Sequence, residues 1–572
     1  MRKQKTKHEE DVLTFVLSTF AALVEARREV EPMWQEITDY LYPQRSGWGF
    51  EADTRLEAGE LIFDGMPISA HAKLADGLFG WLVSPSIDWL KWVPKDPKLR
   101  HDMKVMAYCQ DLEQALYDVF DASNFYDTMA QDIKDCSALG TSVIYGEEAK
   151  ELGRPFFTPL HLREVYISEN KYQEVDTLFR SFNVTYRVLV EMFGDTLDPD
   201  TVKAAQKAPE TQVRLLHAIY PRTSGQVVKE YARAGFKSDK PFASVYLMQG
   251  TATAGSGMAA QVQGATLLEE GGLDYKHFEA WRFEKASGQT YGTCPAMDAI
   301  FDTKMLNLQA KTMADTAELA AAPPMQAPES MRGKIKIYPR GMSYFTNENQ
   351  RVSPIMTSVS YPFGVDSMER TANNIKEHFK TAYFQSVSQI QQGSRERTRT
   401  EILEMKAESA SILGSIVGRI QKERIEPMVH MTMAIEAAAG RLPRPPQGID
   451  PDIALKLSLR GPLAQSQRKF LQVDGITKGL GAAMQIQAMN PDVGMNFKTN
   501  AIARTLALAN DFPIDMLNDE AEVTKAQAQA QQQRAQAAQM QMENARMVAQ
   551  SAGTKQVEPG SPAAQTMPPR RS

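Results

Sequence analysis

The sequence predicts an α+β chain of more than one domain, read as an assembly subunit and not as an enzyme. Three observations carry this. At 572 residues the chain exceeds the size at which single cores stop growing, so two or more domains are expected. Helical apolar spacing dominates residues 9–150 and returns after Pro295, whereas Pro155 to Gly292 breaks into short alternating or β-branched runs. Finally, Arg395 to Gly440 reads as one helix, roughly 60 Å long at 1.5 Å rise per residue and longer than a small domain is wide.

Composition narrows the class. A hydrophobic content of 43% supports real cores. A net charge of −6 and a pI near 5.9 argue against tight, sequence-indifferent DNA binding, which needs clustered positive charge, yet suit a surface that DNA slides past. Cys109, Cys136 and Cys294 are far apart with no CxxC pair, so neither a disulfide framework nor a zinc site is expected, and a reducing cytoplasm fits. Val12 to Val24 resembles a signal peptide, but Glu9, Glu10 and Asp11 at its edge and Ser18 and Thr19 within it favour an amphipathic core helix. Trp81 to Val93 is broken by Ser84, Pro85 and Asp88 well short of a membrane span.

Taken in order, a first helix closes on Trp34, Tyr40, Tyr42 and Pro43. Further helices are expected from Pro67 to Val83, His101 to Phe120 and Phe125 to Ile144. Strands are expected at His161 to Ile167, Val175 to Phe182, Gln212 to Ala218, Ala243 to Met248 and His277 to Phe283, separated by turn-forming residues. Val184 to Phe193, closed by Gly194, reads as a short helix, and Ala280 to Pro295 as a hairpin with a Ser-Gly turn. A helix with the stripe Met297, Phe301, Met305 and Leu308 runs from Pro295 to Pro323-Pro324. Another opens on a capping box at Asp366 and Glu369 and repeats Met368, Ala372, Ile375, Phe379 and Tyr383. Between them, Met325 to Gly364 is irregular apart from a strand-like run at Lys334 to Tyr338.

The long helix has its own signals. Thr398 and Glu401 form a capping box, and Ile402, Met405, Ile412, Ile416 and Ile420 give one apolar stripe. Pro427 removes a donor and its ring clashes with the carbonyl of Glu423, which predicts a kink, and Gly440 is the expected stop. Leu455 to Leu459 reads as a short strand after a proline-rich linker, with helices following to about Met516. Ala521 to Ser551 favours helix but lacks a clear apolar stripe: it orders in a bundle of like helices or stays disordered, as the last twenty residues should.

Catalytic patterns are missing. There is no GxxxxGK[ST] loop, and Gly255 to Gly264 is glycine-rich but holds no lysine, which fits a hairpin tip. The eight histidines include no HExxH, and no GxSxG elbow occurs. No catalytic residue, metal ligand or cofactor site is expected, so the chain is read as a non-enzyme.

Several ordered segments resemble the podovirus-type head-to-tail connector, or portal, family of tailed bacteriophages. They are Gly77-Leu78 through Leu82, Ser84, Pro85 and Trp89; Asn124-Phe125; Gly140-Thr141; His217 to Arg222; Ala280 to Pro295; Thr398 to Glu401 with Leu413 to Pro427; and Arg460 to Arg468. The resemblance spans roughly residues 30–525. It implies a multi-domain portal-like subunit: wing 1–292, first stem helix 293–322, clip 323–365, second stem helix 366–384, channel loop 385–397, long wing helix and return strand 398–462, crown 463–520, and a barrel helix or disordered tail 521–572. It also implies a ring, expected to have twelve copies, at one capsid vertex of the virion, assembled in the host cytoplasm. Double-stranded DNA would pass through it during packaging and ejection. Its implied partners are the terminase large subunit, which carries the motor's ATPase, tail or adaptor proteins, and major capsid and scaffolding proteins.

The channel loop then supplies the candidate DNA-proximal residues Gln385, Gln389, Gln391 and Gln392, followed by Arg395, Arg397 and Arg399. Amides exchange hydrogen bonds with phosphates without holding a charge tightly. The arginines either face phosphates or pair with Glu396, Glu401 or a neighbour's carboxylates. Two other classes stay open: a different ring-forming structural virion protein and, further off, a nucleic-acid-processing enzyme.

Overall fold

The computed structural model describes residues 7–48, 62–86, 88–149, 153–194, 196–222, 240–249, 264–321, 325–327, 329, 353–354, 361–380, 414, 416–445, 455–459, 479, 502–503 and 520–553. The helices are α1 (Lys7–Arg27), α2 (Glu31–Tyr40), α3 (Met66–Leu82), α4 (Met103–Ala122), α5 (Phe125–Leu139), α6 (Tyr186–Phe193), α7 (Pro199–Lys207), α8 (Pro295–Ala321), α9 (Tyr361–His378), α10 (Glu426–Ala438) and α11 (Glu520–Gly553). The strands are β1 (Leu90–Pro94), β2 (Thr141–Ala149), β3 (Arg154–Leu160), β4 (Val165–Glu169), β5 (Val175–Thr185), β6 (Gln212–Pro221), β7 (Phe242–Met248), β8 (Thr266–Leu273), β9 (Phe278–Arg282), β10 (Met325–Gln326), β11 (Ser353–Pro354) and β12 (Leu455–Leu459). Contacts divide the chain into two units, residues 1–95 with 108–470 and residues 96–107 with 471–572.

Strands β4 to β8 form an antiparallel sheet in sequence order. Alternation along β6 sends Leu216, Ala218 and Tyr220 to one face, where α1 inserts Val12, Leu13, Val16 and Leu17. Leu215 points to the other face, against Leu189 and Phe193 of α6. Each buried aliphatic side chain contributes roughly 1.5–3 kcal/mol of transfer free energy. The expected amphipathic helix at Val12 to Val24 is thus a core helix. Arg27 closes α1 from a buried position, donating to the carbonyls of Leu162 (3.0 Å) and Val165 (2.7 Å) above the Tyr166 ring.

A second sheet, ordered β3-β2-β9, is also antiparallel. It packs against α5, and Trp89 stacks on Phe120 and Phe125 beside it. Strand β1 pairs with β12 across more than 350 residues of chain, Trp92 opposite Leu457.

Several expectations change. The helix expected to run to Ile144 ends at Leu139, because Gly140 adopts φ +77° and the β-favouring run from Thr141 enters the sheet. Residues 9–150 therefore contain two strands, β1 and β2. The run His161 to Ile167 opens with a 3-10 turn at Leu162–Glu164 before β4 begins. Strands β3 and β8 and helix α7 were not foreseen. Helix α9 begins at Tyr361 with Pro362 in its first turn, inside the range given to the clip. Asp366 is therefore not a cap; it pairs with Arg370 one turn on, at 3.1 Å.

The Ser-Gly turn expected from the sequence is present: Gly288 has φ +81°, and Glu284 and Thr293 exchange backbone hydrogen bonds behind it. Strands β7 and β8 pair around Gly255 to Gly264, whose hairpin tip lies outside the described residues except for Gly264. Also outside lie Pro323-Pro324, the run Lys334 to Tyr338, Tyr383, the capping box Thr398–Glu401, Ile402, Met405 and Ile412 of the stripe, the Arg460 to Arg468 segment, nearly all of the crown and the last nineteen residues. Residues 520–553 are helical, with Met540, Met542 and Met547 exposed. No helix among the described residues is long and apolar enough to cross a membrane.

Candidate functional site: the seat of the long helix and the paired helices

The long helix is seated by charge. Residues 416–420 are α-helical, Gln421–Ile425 form a π-turn in which the Glu426 N–H reaches the Gln421 carbonyl, and α10 follows with Pro427 in its first turn. The disruption expected at Pro427 takes this form: widening the turn avoids setting the proline ring against the Glu423 carbonyl. The helix ends as expected at Gly440, φ +70°, where Gly440 N–H donates to Ala437 and Arg441 N–H to Glu436, satisfying carbonyls of the last turn.

Within the π-turn, Arg424 is fully buried. Its guanidinium donates to Asp132 Oδ1 of α5 (2.7 Å), to the Glu279 carbonyl of β9 (2.8 Å) and to the Ser142 carbonyl of β2 (3.2 Å). Asp132 also accepts from Ser142 Oγ (2.8 Å) and Trp281 Nε1 (2.7 Å). Burial pushes the Asp132 carboxyl up and the Arg424 guanidinium down, each opposed by the other's charge. Three donors on Asp132 and the forked donors of Arg424 favour the ionised pair. The neighbouring Glu423 accepts from Arg282 N (3.2 Å) and Nε (3.4 Å), and Arg282 in turn pairs with Glu169 of β4, which Lys285 also contacts at 2.8 Å. One turn of helix is thereby fastened to α5 and to both sheets.

Two glycines make this seat possible. A Cβ on Gly140 would overlap the carbonyl oxygen of Gly292, and a Cβ on Gly292 would overlap that of Gly140. The Gly292 N–H donates to Thr141 Oγ1 at 2.8 Å. Alongside, Trp34 Nε1 donates to the Leu139 carbonyl, and Asp135 receives Arg45 (2.6 Å) and the Tyr42 hydroxyl (2.9 Å). His71 of α3 contacts Ser137 Oγ at 2.9 Å, and burial holds its imidazole down at about 4.

Helices α8 and α9 pack as a pair, joined by Gln309 to Ser367 Oγ (3.0 Å), with Met313 lying against Gly364. Asn307 Oδ1 accepts the N–H groups of Phe63 (2.8 Å) and Asp64 (3.1 Å), pinning the approach to α3. At the far end of α9, Ile375 and Phe379 are fully buried, Phe379 near the His71 ring. The apolar stripe expected to seat α8 does the opposite. Its core face is Ala296, Ala299, Ile300, Thr303, Leu306 and Asn307, while Phe301, Met305 and Leu308 are 66%, 51% and 61% exposed.

Gln385, Gln389, Gln391, Gln392, Arg395, Arg397 and Arg399 all lie outside the described residues. Asp132, Ser142, Glu279 and Arg424 were not singled out from the sequence. Among the described residues no group of three or more His, Cys, Asp or Glu side chains is placed to hold a metal.

Residues 14–517 match the family model of the bacteriophage head to tail connecting protein. The chain belongs to this connector family. Among similar proteins, the probable portal protein of Bordetella phage BPP-1 is 26% identical over 527 residues, covering 89% of this chain and 88% of the relative. The portal protein of Salmonella phage epsilon15 is 24% identical over 486 residues, 83% of this chain and 84% of the relative. Among solved structures, the neck of an empty GTA particle computed with C6 symmetry aligns with a TM-score of 0.32 at 10% identity, over 76% of this chain and 91% of that one. That likeness is too slight to inform the fold. In this connector-family chain, three of the segments that carry the resemblance meet at the seat: Gly140-Thr141, the Ala280 to Pro295 hairpin and the approach to Pro427.

Proposed function

We propose that the chain is the portal subunit of a tailed bacteriophage, closing with its copies into a ring at one vertex of the virion through which double-stranded DNA is packaged and ejected. The match to the connecting-protein family over residues 14–517 carries the reading. The alignments with two phage portal proteins, each over more than four-fifths of both chains, support it. The exposed apolar stripe of α8 also fits: a heterologous contact repeated around an axis would cover Phe301, Met305 and Leu308 once per copy.

The finer assignments belong to the same proposal. Twelve copies form the ring in the host cytoplasm. The clip, residues 323–365, receives the terminase large subunit during filling and tail or adaptor proteins afterwards, and major capsid and scaffolding proteins are further partners. Residues 385–397 form the channel loop, with the three arginines Arg395, Arg397 and Arg399 at or just beyond its end. The subunit's role is structural, and ATP hydrolysis resides in the terminase. End-on negative-stain images of the purified protein test the reading. Rings with an axial hole are expected; a folded, monodisperse monomer by native mass spectrometry at micromolar concentration would overturn it.

A further inference from the structure

Six buried positions along the long helix, Ile416, Ile420, Arg424, Met428, Thr432 and Glu436, recur at every fourth residue. Four residues of α-helix advance about 400°, so each step drifts about 40° and five steps carry the stripe about 200° around the helix. An uninterrupted α-helix would thus turn one end of the stripe away from the sheet. The π-turn at Gln421–Ile425 adds one residue to a turn and removes about 100° of that drift. The widened turn keeps Ile416 and Ile420 on the same side as Met428 and Thr432.

A π-turn is rarer than α-helix, so something outside the backbone must hold it. The contacts that do so come from its own side chains: Arg424 to Asp132 and to the carbonyls of Glu279 and Ser142, with Glu423 to the Arg282 N–H and Nε. These partners sit on α5, β2 and β9, whose positions are set by the sheet and by the Gly140–Gly292 contact. Pro427 assists but is not a fastening, because it removes one α-helical hydrogen bond and makes none.

We propose that Arg424 is a positioning residue: its buried pair with Asp132 holds the π-turn and so sets the rotational register of the helix before Gln421. The functional consequence rests on the portal reading, in which that part of the helix leads back to the channel loop. If the pair is removed and Pro427, whose ring opposes an α-turn, is replaced as well, the turn can rewind to α-helix and rotate the preceding segment by about one residue, 100°.

The test measures register directly. Spin labels on Gly418→Cys and Asp127→Cys, both exposed positions, report the distance between the helix and α5 in sparsely labelled assemblies of the full chain. Asp132→Asn with Arg424→Met removes both charges together, which avoids an unpaired buried ion. Combined with Pro427→Ala, it should shift the distance distribution by up to about 8 Å, the chord of a 100° turn at the outer, side-chain radius of a helix. Pro427→Ala alone should leave the parental distance. An unchanged distance in the folded triple variant overturns the proposal, and so does a shift caused by Pro427→Ala alone. In packaging assays the triple variant should assemble but lose DNA filling, and normal filling despite a shifted distance would overturn the functional half. Failure of unaltered rings to fill would instead count against the portal reading while leaving the distance result standing.

Discussion

Gly140 and Gly440 both adopt a left-handed backbone, yet they should respond very differently to a side chain. Alanine at Gly440 meets open space, so only the backbone cost of about 1–2 kcal/mol applies. Alanine at Gly140 incurs that cost and also collides with Gly292 O in a packed site, adding roughly 1–3 kcal/mol. Chemical denaturation should therefore rank Gly140→Ala well below Gly440→Ala, and equal midpoints would show that the two backbone segments, at Gly140 and at Gly292, have room to separate. His71 gives a pH-dependent counterpart. Unfolded, its imidazole binds a proton near 6.5; folded, only near about 4. The unfolded state thus binds more protons between these values, and the stability present above pH 6.5 falls away as pH drops towards 4, by an amount on the order of 3 kcal/mol. His161 and His217, held down to about 3 by burial, act in the same direction. His71→Gln should flatten the loss of melting temperature between pH 6.5 and 4.5. An unaltered slope would assign the effect to the other histidines held down by burial, His277 included.

At the scale of elements, what the sequence disclosed depended on whether a segment's neighbours are local. Helices α1, α3 and α8 and strands β5, β6 and β7 were legible because period and punctuation are properties of the segment itself. The continuation of α5 into β2 was not, since nothing in Thr141 to Ile144 declares the Glu279 to Arg282 backbone waiting opposite or the Gly292 carbonyl against Gly140. Helix α8 carries two apolar faces, and spacing alone does not say which one is buried: Ala299, Ile300 and Leu306 went inward, and the bulkier Phe301, Met305 and Leu308 stayed outside. The candidate channel residues rest on composition and resemblance, whereas the seat around Arg424 is hidden in the sequence because an arginine in an apolar stripe looks like an interruption. Its signal was the sustained four-residue spacing. The outward stripe of α8 carries a prediction. Met305→Asp with Leu308→Asp should leave the single subunit's stability within about 0.5 kcal/mol, since both sites are exposed there. The same variant should abolish rings in mass photometry if a second copy covers the stripe. Rings of normal size and yield would place the contact between copies elsewhere.

At the scale of the whole molecule, an acidic chain that passes DNA must meet phosphates without holding them. A net charge of −6 keeps the general surface unattractive to DNA, so any contact has to be local and weak. Gln385 to Gly393 suits this, being polar apart from Val387 and Ile390 and free of acidic residues, with Arg395, Arg397 and Arg399 just beyond. A ring multiplies each contact by the number of copies, so strong individual ion pairs would stall sliding DNA, whereas amide contacts break and re-form readily; any arginine contact would be salt-sensitive. Changing Gln389, Gln391 and Gln392 together to Ala, and separately Arg395→Ala, should leave rings that assemble and bind terminase. Those rings should fill poorly or leak DNA, and Arg395→Ala should reduce the salt dependence of retention. Packaged DNA length and nuclease protection after filling measure both effects. Normal filling and retention in both variants would remove this loop from the channel's working surface and leave phosphate contact to another segment.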